Sequence, residues 1–364
     1  MYIVIFCSLI AVLLTYFEVN GTMRGGMKWG FFFVTFLGAI HYDYGNDYMG
    51  YFEMYEYFTR GSLNVKAIFE GGYKEPGWKL LCWLFKPIGG FFTMVAVLNI
   101  VQNYIVYNFI KQYVHRPWWP LGIFIYLFST NLYLLSFSMM RQEFVIIVFL
   151  GLWPLIKERK WWFSLIITYL CSFIHTSALM LLPFVFWGFV PQRYKIVGIV
   201  YMVIVLLLWL SKDMLFLLVN NVISLNEQAN NYILIYKNGD AISKVGIGFA
   251  MNMIIFILFV LYMLKEDTRV SVSDKCLVSL AAIYYLIQPL GQFLQLFGRV
   301  GMYFSVYNIG AMPLIFGSIK NKEWRIGLLF MYIFMTIYDY LMFFQSEIFV
   351  AKYSEFHTIF PYIF

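Results

Sequence analysis

The sequence predicts an all-α polytopic membrane protein, with about twelve transmembrane helices and two longer extracytoplasmic segments. Three observations carry that prediction. Of 364 residues, 62% are apolar and only 12% charged, roughly half the usual charge, which is too little to cover a soluble surface but suits one that faces lipid. Uncharged runs recur along the whole chain, and the basic residues collect in short connections that alternate with more acidic ones. The formal charge of +7 is scattered between apolar blocks, so a disordered chain, a disulfide scaffold and a nucleic-acid-binding domain are all excluded.

In chain order, the uncharged runs lie near 1–17, 29–41, 87–110, 118–137, 143–156, 161–174, 176–190, 196–211, 245–264, 276–290, 300–318 and 326–344. The first has no basic leader and no small-x-small cleavage site, so it reads as a retained span. Several runs are shorter than the roughly 20 residues that a lipid-exposed helix prefers. The connections holding Arg24 and Lys28, Lys111 and Arg116, Lys157, Arg159 and Lys160, Arg193 and Lys195, Lys265, Arg269 and Lys275, and Lys320, Lys322 and Arg325 fall on one side. They carry 15 of the 26 Lys and Arg residues. By the positive-inside rule this side is cytoplasmic and both termini lie outside; these cations would meet anionic lipid.

The outer side carries the two longer segments. Residues 42–76 hold six carboxylates (Asp43, Asp47, Glu53, Glu56, Glu70, Glu75) against Arg60, Lys66 and Lys74, and residues 212–244 hold Asn220, Asn221, Asn226, Asn230 and Asn231. Long loops on one face against tight turns on the other point to chemistry outside. No repeat and no separate soluble domain is evident, so residues 1–364 read as one integral-membrane domain. Cys7, Cys82, Cys171 and Cys276 lack metal-like spacing and read as small core residues.

In so apolar a chain, the informative residues are charges that interrupt spans or stand at their outer ends. Arg141 stands between two spans in Ser138-Met139-Met140-Arg141-Gln142-Glu143; the plain alternatives are an interfacial anchor or a partner for Glu143. His175 opens His175-Thr176-Ser177-Ala178-Leu179 in a stretch, 161–192, without formal charge. It is either a packing residue or, as a neutral imidazole, a general base. Arg299 is flanked by long uncharged stretches on the outer side; with Arg141 it would make a two-cation site for a diphosphate. His41-Tyr42-Asp43-Tyr44-Gly45-Asn46-Asp47-Tyr48 interleaves aromatics with carboxylates, which suits a carbohydrate-facing lip or an aromatic belt. Glycines and a proline in Glu70-Gly71-Gly72-Tyr73-Lys74-Glu75-Pro76-Gly77-Trp78 mark irregular backbone re-entering the membrane. No phosphate-binding loop, metal-binding helix, Asp-x-Asp pair or nucleophile elbow is found, which favours a pre-activated, membrane-borne donor and no cofactor.

Asp47-Tyr48-x-x-Tyr51, Glu75 followed by Gly77 and Trp78, Arg141-Gln142 opening a mid-chain span, and His175-Thr176-Ser177-Ala178-Leu179 together resemble the EpsG-type branch of the Wzy polysaccharide polymerases. The resemblance runs over about residues 40–190, and more loosely to Arg299-Val300-x-x-Tyr303-Phe304. It implies a GT-C-like glycosyltransferase that polymerises polyprenyl-diphosphate-linked oligosaccharide units into O-antigen, capsule or exopolysaccharide. Transfer would take place at the outer face of the bacterial inner membrane, without a metal, passing the growing glycan to the non-reducing end of a new unit. A chain-length-regulating protein is expected as partner, and no nucleic acid. In that chemistry Arg141 and Arg299 take the diphosphate and His175 or Glu75 the acceptor proton. Asp43, Asp47, Tyr44, Tyr48 and Gln142 face the sugars; Asp43 and Tyr44 rest on position alone. The rivals are an O-antigen ligase with the same donor, a membrane O-acyltransferase, and a flippase or transporter, although the duplication and broken midplane helices of transporters are not evident.

Overall fold

The computed structural model describes residues 1–61, 73–190, 247–265, 271–288 and 295–363, with 68, 200 and 203 as single positions. Residues 1–190 and 312–364 form one compact unit and residues 191–311 a second. Glu70, residues 212–244 and, apart from 200 and 203, the run 196–211 fall outside the described residues.

The first unit begins with two helices, α1 (Tyr2–Val19) and α2 (Gly26–Ile40), whose sequences explain their pairing. Glu18 at the end of α1 accepts the backbone N–H of Met27 at 2.7 Å. Gly30 lets α2 approach so closely that a Cβ there would stand 2.9 Å from the backbone of Ala11, the small-residue contact by which apolar helices associate in lipid. The chain then passes through the short strand β1 (His41–Tyr42) to α3 (Tyr48–Thr59). Tyr48, Tyr51, Tyr55 and Phe58 recur at three- and four-residue spacing, so one face of α3 is aromatic. That face packs on Trp78 and Cys82 of α4 (Pro76–Phe85), on Phe91, Met94 and Leu98 of α5 (Gly90–Tyr113), and on Met140.

Next come α6 (Trp119–Phe128), α7 (Met140–Gly151), α8 (Trp153–Lys157) and α9 (Trp161–Ser172). After them runs a 3-10 helix, Thr176–Phe189, and the unit closes with α14 (Lys322–Gln345), α15 (Glu347–Tyr353), strand β2 (His357–Thr358) and α16 (Phe360–Ile363). The second unit contains α10 (Ile247–Leu264), α11 (Val272–Ile287) and α12 (Gln295–Ser305); α13 (Asn308–Ser318) spans the boundary. Strand β2 pairs antiparallel with β1, and Lys352 reaches Asp43 at 2.8 Å, so the segment after α14 lies along residues 41–43.

The protein is an all-α membrane protein. Among the described residues α1, α5 and α14 are long and apolar enough to cross a membrane, with a fourth if Gly298–Ser305 and Asn308–Ser318 count as one broken span. Trp162, Phe163 and Ile166 on α9, and Trp324, Phe330 and Phe334 on α14, are exposed large apolar side chains, as a surface that faces lipid would require. Several uncharged runs are not single helices. The run 118–137 divides into α6, whose residues Leu121–Phe128 are all buried, and a 3-10 helix, Tyr133–Phe137. The run 143–156 breaks at Leu152, before Pro154; 176–190 is 3-10 with Pro183 inside it; and 300–318 breaks between Ser305 and Asn308. An uncharged stretch is equally compatible with lipid and with a protein core, so hydropathy alone does not separate them. The four cysteines are free thiols, and Cys82, Cys171 and Cys276 are buried.

Candidate active site

Three breaks between helices meet in the first unit, and each contributes one ionisable side chain. Glu75 precedes α4, whose first residue is Pro76. Proline is well placed at a first helical position and holds the preceding residue out of helical backbone; the Glu75 side chain makes no cap bond to its own helix. Arg141 is in the first turn of α7. His175 follows α9 in extended backbone (φ −148°, ψ 116°) and precedes the 3-10 helix.

Glu75 is the hub. Its Oε1 lies 2.8 Å from His175 Nδ1 and accepts the backbone N–H of Thr176 at 3.0 Å. Its Oε2 forms an ion pair with Arg141 Nη1 and stands 3.4 Å from the Tyr73 hydroxyl, which also accepts from Arg141. The Arg141 guanidinium lies 5.1 Å from the ring centre of Tyr51 and 5.9 Å from that of Trp78, a cation–π enclosure that suits arginine's plane. The Glu75 side chain keeps 9% of its surface, whereas that of His175 keeps 23%. Burial favours the neutral acid of Glu75, but the bonds from His175 and Thr176 and the charge of Arg141 outweigh it and hold the carboxyl below the usual carboxylate range.

An ionised carboxylate only accepts hydrogen bonds, so Nδ1 of His175 carries the proton toward Glu75 and Nε2 is the nitrogen turned away from it. Such an arrangement can take a proton at Nε2 and stabilise the imidazolium that results. The pH dependence of stability follows. Glu75 has a lowered value in the folded protein, so its contribution is fully present above about pH 4.5 and is lost as pH falls through the folded value. Thermal unfolding in detergent should show a gap between wild type and Glu75→Gln that shrinks only below about pH 4.5. A gap that narrows between pH 8 and 6 would contradict this.

Three comparisons with known proteins bear on what this network belongs to. The family model described as the EpsG family matches residues 29–364, a span that contains every member of the network. The chain belongs to the EpsG family. No curated protein and no solved structure matches it. The EpsG family is the Wzy-type, polysaccharide-polymerase-like family, so Glu75, Arg141 and His175 form a charged cluster in a membrane protein of that kind.

Other expected site residues in this EpsG chain fall elsewhere. Arg141 does not pair with Glu143: residues two apart on a helix face different sides, and Glu143 is 1% exposed with neither carboxyl oxygen hydrogen-bonded. Gln142 is buried, and its amide nitrogen has no partner. Tyr44 is enclosed by Phe137, Tyr353 and Phe356, and Tyr48 by His41, Tyr42 and Phe91. Both are 0% exposed, so neither ring presents a face on which a sugar could stack; the interleaved aromatics of this segment pack inward. Asp43 is paired with Lys352, and Asp47 shares hydrogen bonds of 3.3 Å with the Ser138 hydroxyl. Arg299 lies on α12 in the second unit, half-buried. Among the described residues no three His, Cys, Asp or Glu gather as a metal site would require. Tyr73, Tyr51 and Trp78, which complete the surroundings of Arg141, had not been singled out as site residues; each sits in a quoted motif without a role.

Proposed function

We propose that the protein is a membrane glycosyltransferase that polymerises polyprenyl-diphosphate-linked oligosaccharide units at the outer face of the bacterial inner membrane. The observation that carries this reading is the Glu75 carboxylate, held between Arg141 and His175 in a chain of the EpsG family. Transfer at an anomeric carbon needs a deprotonated acceptor hydroxyl and a stabilised diphosphate leaving group. In our reading His175 Nε2 accepts the proton of the non-reducing-end hydroxyl of the new unit. That oxygen attacks the anomeric carbon of the growing glycan, and the bond to the lipid diphosphate breaks with inversion. Glu75 orients the imidazole and balances its charge, which makes it a supporting group and His175 the base.

Arg141 is assigned to the diphosphate; for Arg299, in the second unit, that role rests on the sequence alone. The ion pair with Glu75 engages Nη1 of Arg141, whose side chain keeps 18% of its surface, which leaves guanidinium donors for a phosphate oxygen. Asp43 and Asp47 are assigned to sugar hydroxyls; Gln142, 4% exposed, is enclosed as Tyr44 and Tyr48 are. We assign the chain about twelve membrane spans in a GT-C-like arrangement, working as one integral-membrane domain with both termini outside. The pairing of β2 with β1 and the bond from the Met1 amine to the Ser354 carbonyl support termini on the face of residues 42–47. The substrates would be membrane-borne, and a chain-length-regulating protein would be the partner.

Deletion of the gene, followed by a gel of surface glycan, tests the reading. The expected pattern is a single capped repeat unit, with the ladder restored by the wild-type gene and not by Arg141→Ala or Arg299→Ala. Polymer retained on the lipid carrier would instead identify a ligase, and an unchanged ladder would remove glycan polymerisation altogether.

A further inference from the structure

The breaks that carry Glu75 and His175 are joined in both directions, by backbone bonds one way and by a backbone-to-carboxylate bond the other. The N–H of Gly77 donates to the carbonyl of Phe173 at 2.8 Å, and the N–H of Trp78 to the same oxygen at 3.3 Å. In return the N–H of Thr176 donates to Glu75 at 3.0 Å. Gly77 lies two residues after Glu75, and Phe173 two before His175. The first turn of α4 thus grips the end of α9 on one side of the catalytic pair, and the start of the 3-10 helix grips Glu75 on the other.

The grip leaves no room for a side chain at 77. A Cβ there would stand 2.9 Å from the carbonyl carbon, the carbonyl oxygen and the Cβ of Phe173, where ordinary contact begins at 3.4 Å. Two of those three atoms are backbone, so rotamer changes cannot relieve the clash. Gly77 is in the first turn of α4 without a positive φ, so alanine would otherwise be favourable there. Its one requirement is the approach to Phe173. We propose that Gly77 is a positioning residue, which sets the Glu75–His175 distance by keeping these two backbone segments in contact. The proposal rests on the reading of Glu75 and His175 as the reacting pair. A Cβ at 77 would part the segments by about half an ångström, the tolerance within which a catalytic constellation must be held.

The test uses the purified full-length protein and lipid-linked oligosaccharide isolated from a polymerase-deleted host. Gly77→Ala should lower kcat about 10- to 100-fold with KM within about threefold. Gly50→Ala, a helical glycine with nothing within 4 Å of its Cβ position, serves as control and should behave as wild type. Adding Phe173→Gly should not rescue Gly77→Ala, because the backbone atoms remain. Normal kcat in Gly77→Ala, or rescue by Phe173→Gly, would overturn the proposal. Should Gly77→Ala fail to accumulate, Thr176→Pro against Thr176→Val decides. Proline suits the first position of the 3-10 helix after an extended residue yet deletes the amide to Glu75, so it should cost at least about tenfold more in kcat than valine. Equal values would overturn the clasp. An active Glu75→Gln enzyme would instead sink the underlying reading, so the two failures are distinguishable.

Discussion

Glu75→Gln is expected to abolish long-chain glycan in cells while the protein still inserts in the membrane, with a loss in chain-extension rate of about a thousandfold. The substitution is nearly isosteric, so its effect isolates charge and hydrogen-bond polarity. A carboxylate accepts from Nδ1 of His175, from the Thr176 amide and from Arg141 together. An amide has one accepting oxygen and an NH2 that can only donate. Whichever way the glutamine is turned, either His175 or Arg141 faces a donor. With His175 the imidazole loses the partner that fixes its tautomer, and with Arg141 the guanidinium loses its counter-charge inside a nearly buried site. Insertion should survive because the packing of Tyr48, Tyr51, Tyr55 and Phe58 on Trp78, Cys82 and Phe91 does not involve the carboxylate.

Arg141→Lys should be nearly as damaging as Arg141→Ala for activity, and much less so for stability. Removing the cation outright leaves Glu75 charged and enclosed, a loss of about 3–5 kcal/mol for a buried pair broken on one side. A lysine can restore the charge. It cannot lie flat against Tyr51 and Trp78 while bonding both Glu75 and Tyr73, because its ammonium is a compact point donor on a flexible stem. Chain extension should therefore fall at least about a hundredfold in Arg141→Lys while the unfolding temperature in detergent stays near that of wild type. The double variant Glu75→Gln/Arg141→Gln should recover most of the stability lost in Arg141→Ala, since it leaves no uncompensated charge, and recover no activity. Activity in Arg141→Lys close to wild type would reduce Arg141 to a counter-ion.

Part of this site was legible in the sequence because charge is so scarce that an arginine or a histidine at the end of an uncharged run stands out. Arg141 and His175 stand out that way, and Glu75, one of six carboxylates in residues 42–76, through its motif's resemblance to the EpsG family; the three meet in one network. What was not legible was which of them pair. Glu143 is the nearer acid in sequence, yet helix geometry turns it away, and Glu75 arrives from 66 residues upstream. The aromatic members were hidden by abundance: in a chain that is 22% Phe, Trp and Tyr, nothing distinguishes Tyr51, Tyr73 and Trp78 from core residues until a cation is seen beside them. The same abundance made Tyr44 and Tyr48 look like a sugar platform, when close contacts with Phe137, Phe91 and Tyr353 make them interior. The helical class was plain from composition. The breaks at Leu152 and between Phe128 and Tyr133 were marked only by Pro154 and by Ser129-Thr130-Asn131, inside runs without charge.

The most direct measurement of the central claim is chain extension by purified protein from a single lipid-linked oligosaccharide, comparing wild type with Glu75→Gln and His175→Ala. The expected result is a ladder for wild type, and for both variants the starting unit alone, bound with unchanged affinity. Ladders of normal length from either variant would show that the Glu75–His175 pair does not perform the transfer.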